Sequence, residues 1–538
     1  LGERQRLLLI ICLALLVRLY MVFNTTVISN DGVIYIEMAK LLAGGQFATS
    51  LTSNYPPLYP TMIWGMHHVI GDWVFAGQAV SVIFSCLLIL PLYAMIRRFF
   101  NSRVALLAAF FVTLNPHLVR FSTDVITETP YIFLLVTAVW LGWEALANGK
   151  TRLLALSGLS CGLAYLIRPE GIGAFVVLGL WIILPNRLQQ GFTLPRRAVG
   201  IGLMTLLLLA VAFPYMAYIK HETGTWRLSK KKDLTVLLGI RKFNADAVPE
   251  KTVPTHSNPG AATEESPNHL GTELQVEPVT ATQSPATFMD HLYPKGKAFL
   301  KMLALFAETY HPLLVFYAFL GFVLWRRVLR NRRAGIYVLS FALLYGAILY
   351  RLLLHASYLD RRHLMPVAVI TIAWAAVGMK ALAEWISSRS EGWQHRRISP
   401  QQVTAALLII TAMVMLPKAL KPYRYCKYHQ KSVGLWLKNQ LDESPVIMAY
   451  NLPRVAFYAE GKYVSYRRGS YEALLALARE RGVQYLVVDR QSVENQIPGF
   501  FGRVENGEDF ALVHEEGKLN EKMHDDLLVF QMVANDEI

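Results

Sequence analysis

Apolar runs close to 20 residues long recur along this 538-residue chain, and nothing else in the sequence restricts its fold as strongly. A helix of about 20 apolar residues crosses a bilayer core about 30 Å thick. In hydrocarbon the backbone must satisfy its own hydrogen bonds, and helical runs of this length do so. The runs predict eleven spans, at roughly 7–23, 78–96, 104–120, 129–147, 152–167, 171–185, 198–219, 310–325, 334–354, 363–386 and 403–417. The chain is 54% hydrophobic with a net charge of +15. Most of that positive excess lies in short loops between apolar runs, so it sets orientation and does not point to nucleic acid. The expected class is an α-helical polytopic membrane protein, with the first run kept as a signal-anchor helix.

The charge pattern predicts a cytoplasmic N-terminus in a plasma (inner) membrane protein. The inner loops then carry Arg97, Arg98 and Arg103; Lys150 and Arg152; Arg187, Arg196 and Arg197; Arg326, Arg327, Arg330, Arg332 and Arg333; and Arg389, Arg396 and Arg397. The outer loops hold Asp31, Asp124, Glu128 and Glu170. An odd number of spans places the C-terminal part on the outer, periplasmic or extracytoplasmic side. Lys418, Lys421, Arg424 and Lys427 run against the charge trend there, and anionic lipid headgroups would suit them. Cys12, Cys86 and Cys161 lie within apolar runs, so no disulfide framework is expected.

The first outer loop, 24–77, is too apolar for a plain connection. Ile34, Met38, Leu41 and Leu42 share one helical face, Gly44-Gly45 ends that helix, and Thr61 to Ile70 forms a second. Both are too short to span and read as helices lying in the outer interface. The longest outer connection, 221–300, is rich in Pro, Thr, Ser and Glu over 244–286, which predicts disorder or a mobile lid. Gly158 and Gly162 have the small-xxx-small spacing of helix packing. The sequence divides into a membrane unit, 1–427, and a soluble α/β domain, 428–538. In the latter, Val433–Leu441, Pro453–Ala459 and the stretch after Ser470 read as helices. Val446–Ala449, Val483–Val488, Phe510–Val513 and Leu527–Val533 read as strands.

There is no Walker A pattern, no complete dinucleotide fingerprint and no Cys/His set with zinc spacing. His67-His68 reads as a polar helix face. What remains is a set of ionisable residues at outer helix ends, where charges are costly and often functional. Asp31, in Ser29-Asn30-Asp31-Gly32, suits a helix cap and equally a rigidly held carboxylate. Glu128 opens the fourth span; it serves either first-turn electrostatics or a second acidic function. Arg168, in a tight turn, sits at phosphate depth, where snorkelling to headgroups is the alternative. Arg361, Arg362 and His363 open a later span, and two outer arginines suit a phosphate. Tyr55 and Tyr59 flank Pro56-Pro57, as interfacial anchors or phosphate contacts.

These motifs resemble those of the GT-C fold glycosyltransferases, in the branch of protein O-mannosyltransferases and the aminoarabinose transferase of lipid A. The resemblance lies in the acid opening an amphipathic helix in the first outer loop, the Pro-Pro-Leu-Tyr segment 56–59, and Thr-Glu-Thr-Pro-Tyr at 127–131. Gly-Leu-Ala-Tyr-Leu-Ile-Arg-Pro-Glu-Gly at 162–171 and Arg-Arg-His-Leu-Met-Pro at 361–366 complete it. It covers about 7–420 and implies Asp31 as the catalytic carboxylate and Glu128 as the acid of the second loop. Two positions differ from relatives: Tyr55 stands where the aminoarabinose branch tends to have a basic residue, and Gly32 where many relatives have a second acid.

The implied function is transfer of a hexosyl or pentosyl group from a polyprenyl-phosphate donor to a lipid, glycan or protein acceptor on the outer face. The expected mechanism is an inverting displacement with Asp31 as general base and Arg168, Arg361, Arg362, His363 and Tyr59 around the donor phosphate. No cofactor is indicated for certain; a divalent metal stays open, with Asp31 and Glu128 as candidate ligands. Two rivals are a transporter or flippase of a lipid-linked saccharide and a non-catalytic cell-envelope assembly protein. The nearly apolar middles of the spans disfavour the transporter.

Overall fold

The computed structural model describes residues 2–184, 193–230, 295–328, 332–356, 358–390, 398–440, 444–505, 509–517 and 526–533. The expected lid at 244–286 lies outside these, as do Arg187, Arg330, Arg396 and Arg397 of the expected inner loops.

The chain enters through α1 (Glu3–Phe23), then builds four helices in the first loop region and the second span. These are α2 (Asn30–Ala43), α3 (Phe47–Thr52), α4 (Leu58–Ile70) and α5 (Trp73–Leu87), the last continued by α6 (Ile89–Phe99). There follow α7 (Ser102–Leu114), α8 (Pro116–Ser122), α9 (Glu128–Asn148), α10 (Thr151–Tyr165), α11 (Ile172–Ile183) and α12 (Leu194–Thr223). The later helices are α13 (Lys295–Tyr310), α14 (Pro312–Val328), α15 (Arg332–Ala356), α16 (Arg361–Ser390) and α17 (Pro400–Ala419).

Among the described residues, seven helices are long and apolar enough to cross a membrane, or nine if each bent pair is one span. Asn115 and His311 lie at the two bends, of 63° between α7 and α8 and 104° between α13 and α14. The expectation of eleven spans is therefore corrected. The runs at 152–167 and 171–185 form α10 and α11, of 15 and 12 residues. At 1.5 Å per residue they reach about 22 and 18 Å, short of a hydrocarbon core about 30 Å thick. They meet at the Arg168 turn, so together they form a hairpin.

Close helix crossings depend on missing side chains. On α10, a Cβ at Gly158 would lie 2.1 Å from the Met204 carbonyl oxygen of α12, and one at Gly162 would lie 3.0 Å from that of Leu208. The small-xxx-small spacing thus serves packing. The sequence did not single out Gly321 on α14 and Gly378 on α16. Their Cβ atoms would stand 1.8 Å from the carbonyl oxygens of Trp374 and Tyr317 respectively.

After α17 the chain forms α18 (Tyr428–Gln440), β1 (Val446–Ala449), α19 (Pro453–Tyr458), β2 (Lys462–Ser465), α20 (Tyr471–Glu480) and β3 (Tyr485–Asp489). Two short helices, α21 (Val493–Gln496) and α22 (Phe500–Val504), precede β4 (Phe510–Glu516) and β5 (Leu527–Met532). The sheet order is β2-β1-β3-β5-β4; β1 runs parallel to β2 and β3, and β5 antiparallel to β3 and β4. Side chains alternate between its faces. Met448, Leu486, Val488 and Phe530 pack on one side with Leu474 of α20. Ile447, Ala449, Val487 and Val529 pack on the other with Val433 of α18 and Val455 of α19. The strand β2 was not anticipated, because only Val464 of its four residues is buried.

α2 departs from the expectation of a helix lying at the interface with one face buried. Val33, Ile34, Tyr35, Ile36, Met38 and Ala39 are all buried, so the helix is enclosed by protein. α4 and α5 lie against it, and α19 covers its start with Phe457 and Tyr458.

Gly378→Ala drives a Cβ into backbone, and overpacking of this kind costs about 1–3 kcal/mol. Gly202 of α12 has no atom within 4 Å of its would-be Cβ. Thermal unfolding of purified protein in detergent is expected to show a midpoint lowered by several degrees for Gly378→Ala and an unchanged one for Gly202→Ala.

Candidate active site

Ser29 caps α2: its hydroxyl accepts the Gly32 N–H at 3.0 Å. The cap is thus Ser29 and not Asp31, which leaves the Asp31 carboxylate available in the first helical turn. Asp31 Oδ2 accepts from Arg362 Nη1 at 2.5 Å, and Oδ1 from the Tyr55 hydroxyl at 2.9 Å. The pair remains partly open, with side-chain exposures of 22% for Asp31 and 31% for Arg362. Burial first, and then the Asp31 charge, raise Tyr55 well above the usual phenol range, so it stays a donor.

A second pair is sealed beside the first. Glu128, 2% exposed at the start of α9, accepts from Arg168 Nη1 at 3.0 Å. Arg168 also reaches Glu170 at 3.5 Å. The other carboxylate oxygen of Glu128, Oε2, is buried without a hydrogen-bond partner among the described residues. Burial pulls the Arg168 guanidinium down, but Glu170 and Glu128 outweigh it and hold it above its ordinary range. The Arg168 ring contact is with Tyr131, 5.6 Å from guanidinium carbon to centroid.

Tyr35 joins the two pairs. It lies one turn after Asp31 on α2, is buried, and stands edge-on to Tyr55 and Tyr59 at centroid distances of 4.9 and 5.1 Å. Burial, then Asp31, then Glu128 raise its phenol above the usual range, so both carboxylates act on one ring. The i, i+4 spacing from Asp31 was the available signal for it.

The remaining expected site residues separate. Tyr59 is fully buried, its hydroxyl beside Ser81 Oγ at 2.9 Å and the Gly77 carbonyl at 3.3 Å, so it does not present its phenol to the Asp31 opening. Tyr55 does so instead. Arg361 turns to Glu308 of α13, 2.8 Å away, on an exposed edge. His363 follows Arg362 in the first turn of α16, and its Nδ1 accepts the Asp360 N–H at 3.2 Å. Gly32 explains its departure from an acid: a Cβ there would lie 2.9 Å from the Val125 carbonyl oxygen.

Asp124 emerges as a clamp that the sequence did not indicate. It is 1% exposed, pairs with Arg424, and its Oδ1 accepts the N–H groups of Val125 at 2.8 Å and Ser29 at 3.1 Å. Arg424, expected among headgroup-facing cations, therefore turns into the protein. Burial lowers its affinity for a proton, but Asp124 more than compensates and holds it above its usual range. As for a metal, the described residues contain no group of three or more His, Cys, Asp and Glu placed to hold one. Asp31 and Glu128 each face an arginine, an arrangement that suits an anion better than a cation.

Against solved structures, the chain is similar to ArnT from Cupriavidus metallidurans bound to undecaprenyl phosphate. The TM-score is 0.59 at 13% identity, over 98% of each chain. It is also similar to the Archaeoglobus fulgidus oligosaccharyltransferase tethered with an acceptor peptide, at TM-score 0.53 and 12% identity, over 97% of this chain and 75% of that one. No curated protein matches the chain. The fold is that of the GT-C membrane glycosyltransferases. Within it, residues 54–218, which include Tyr55, Glu128 and Arg168, match the family model described as dolichyl-phosphate-mannose-protein mannosyltransferase.

Removing one partner of a buried pair strands the other charge, at about 3–5 kcal/mol. Arg168→Met is expected to lower stability by that order in detergent unfolding. The double variant Glu128→Gln/Arg168→Met should recover a large part of the loss.

Proposed function

We propose that the chain is a membrane glycosyltransferase that moves a hexosyl or pentosyl group from a polyprenyl-phosphate donor to an acceptor hydroxyl at the Asp31 end of the bundle. The observation that carries this reading is the open Asp31–Arg362 pair on a GT-C fold. In this reading a base and an anion-binding guanidinium stand one hydrogen bond apart, at the opening. The match of residues 54–218 and the likeness to a protein solved with undecaprenyl phosphate support the donor class.

In this mechanism the donor phosphate competes with Asp31 for Arg362. An arginine-bound carboxylate holds its charge and is a reluctant proton acceptor. Donor binding draws the Arg362 guanidinium to the phosphate, which frees Asp31 Oδ2 for the acceptor hydroxyl. Tyr55 keeps its bond to Oδ1 and fixes the orientation of the carboxylate. The acceptor oxygen then attacks the anomeric carbon while its proton passes to Asp31. The bond from that carbon to the phosphate oxygen breaks, and polyprenyl phosphate leaves with its charge stabilised by Arg362, with Arg168 and His363 nearby. One displacement inverts the anomeric centre, unlike the two-carboxylate double displacement of retaining glycosidases. Glu128 holds Arg168 in place. Arg361 and Tyr59 have no part in this scheme.

The orientation proposed is N-terminus inside and the Asp31 end outside, in the plasma (inner) membrane. Nine crossings, like eleven, put the chain ends on opposite sides, and the α10–α11 hairpin does not alter that parity. Residues 428–538 form a separate unit on the outer face, in keeping with a sheet whose two faces pack on their own helices.

Transfer from a panel of polyprenyl-phosphate sugars, by wild type and Asp31→Asn, tests the proposal. Turnover by the wild type is expected to fall by about 10²–10⁴-fold in the variant, the range for loss of a general base. Because the variant no longer competes with the donor phosphate for Arg362, the KM for the donor should fall. A variant that turns over normally would move the base elsewhere.

A further inference from the structure

The loop that delivers Asp31, Asn24 to Ser29, lacks regular structure, yet Val27, Ile28 and Ser29 are buried. Buried backbone groups need partners, and here three successive ones are supplied from far along the chain. The Ile28 N–H donates to the Tyr458 hydroxyl at 3.2 Å, and the Ile28 carbonyl accepts from Arg454 Nε at 2.6 Å. The Ser29 N–H donates to Asp124, which Arg424 holds. Arg454 and Tyr458 lie one turn apart on α19, so a single short helix serves both polar groups of one residue. Further contacts come from the same unit: Lys431 Nζ to the Thr26 carbonyl at 3.2 Å, and Asn30 Nδ2 to Asn451 Oδ1 at 3.4 Å.

Arg454 is unusual in its partners. It is 9% exposed, and its hydrogen bonds run to a carbonyl and to Gln430 Oε1 at 2.9 Å, with no carboxylate in direct contact among the described residues. Burial, together with the like charge of Arg424, brings its guanidinium down to about 10. A charge placed this way is costly for a contact that merely fills space. Its forked donors do what no neutral side chain of that length does: they fasten Ile28 and Gln430 together from one centre.

We propose that Arg454, with Tyr458, is a positioning residue for the transfer reaction: the C-terminal unit grips Ile28, three residues before Asp31, and so fixes the first turn of α2. The carboxylate then meets Tyr55 and Arg362 in one orientation. The inference rests on the reading of Asp31 as base, and its chemical role is indirect, through backbone geometry alone. Near-attack geometry is sensitive to displacements of about 1 Å, which can cost about 10²-fold in rate.

The test uses full-length protein in detergent or nanodiscs, with Arg454→Gln, Arg454→Lys and Tyr458→Phe, and with Asp31→Asn as reference. Two quantities are read. The first is kcat and KM for transfer from the polyprenyl-phosphate sugar that the wild type uses. The expected result is a kcat lowered at least tenfold in Arg454→Gln with donor KM within twofold, and partial recovery in Arg454→Lys. The second is backbone hydrogen exchange, which needs no activity. Exchange over 26–36 is expected to rise at least tenfold in Arg454→Gln and measurably in Tyr458→Phe, with the 446–489 sheet unchanged.

Unaltered exchange over 26–36, or a rise shared equally by the sheet, overturns the proposal as a matter of general stability. Faster exchange over 26–36 with a normal kcat overturns the positioning role. Absence of transfer by the wild type would instead count against the glycosyltransferase reading, and the exchange result would still decide whether α19 holds the loop.

Discussion

A carboxylate taken out of water costs several kcal/mol unless a cation meets it, and this constraint organises one whole end of the molecule. Three acid–guanidinium pairs close there: Asp31 with Arg362, Glu128 with Arg168, and Asp124 with Arg424. Each ties together segments separated along the chain, by 331, 40 and 300 residues respectively. The pairs differ in one respect that matters for chemistry. Asp124 and Glu128 are sealed at 1% and 2% exposure, while Asp31 is open at 22%. The sealed pairs act as architecture, and the open one is the pair that the proposed mechanism exchanges with an incoming phosphate.

The surrounding aromatics sharpen that distinction. Tyr35, Tyr55 and Tyr59 form a tight run of edge-to-face contacts under the opening. Only Tyr55 bonds the exposed carboxylate, while Tyr59 is committed to α5. The apolar wall on which they rest includes Val125, which fills the space left by Gly32 and Gly77. A second acid directly after Asp31, at position 32, would have no room in that wall.

Much of this was legible in the chain and some was not, for identifiable reasons. Hydropathy located the long helices and, to within a few residues, α10 and α11 with the Arg168 turn between them; what it overstated was that each of these two short helices is long enough for a full crossing. The sequence pointed to Asp31, Glu128, Arg168 and Arg362 by type and place. It could not pair them, since the Asp31–Arg362 contact closes over 331 residues. Two tyrosines four apart, at 55 and 59, look alike in sequence; only the way α4 packs on α5 decides which one faces the carboxylate. Asp124 and Arg424 looked like surface charges because each one's partner lies 300 residues away. The strands of the C-terminal sheet were readable where both faces are covered, as in Tyr485–Asp489. The edge strand Lys462–Ser465 was not, because only one of its side chains is buried.

The α19 contact also bears on the order in which the molecule is made. Domains tend to fold as they emerge, N-terminal parts first. The segment with Asp31 leaves the ribosome early, yet its arginine partner lies at 362 and the helix that grips Ile28 begins at 453. Until that last stretch arrives, the N–H and carbonyl of Ile28 lack the partners they have in the finished fold, Tyr458 and Arg454. The site is thus completed by the final quarter of the chain. A chain cut before α19 would carry every helix of the early bundle and still lack the contacts that hold Ile28 in place.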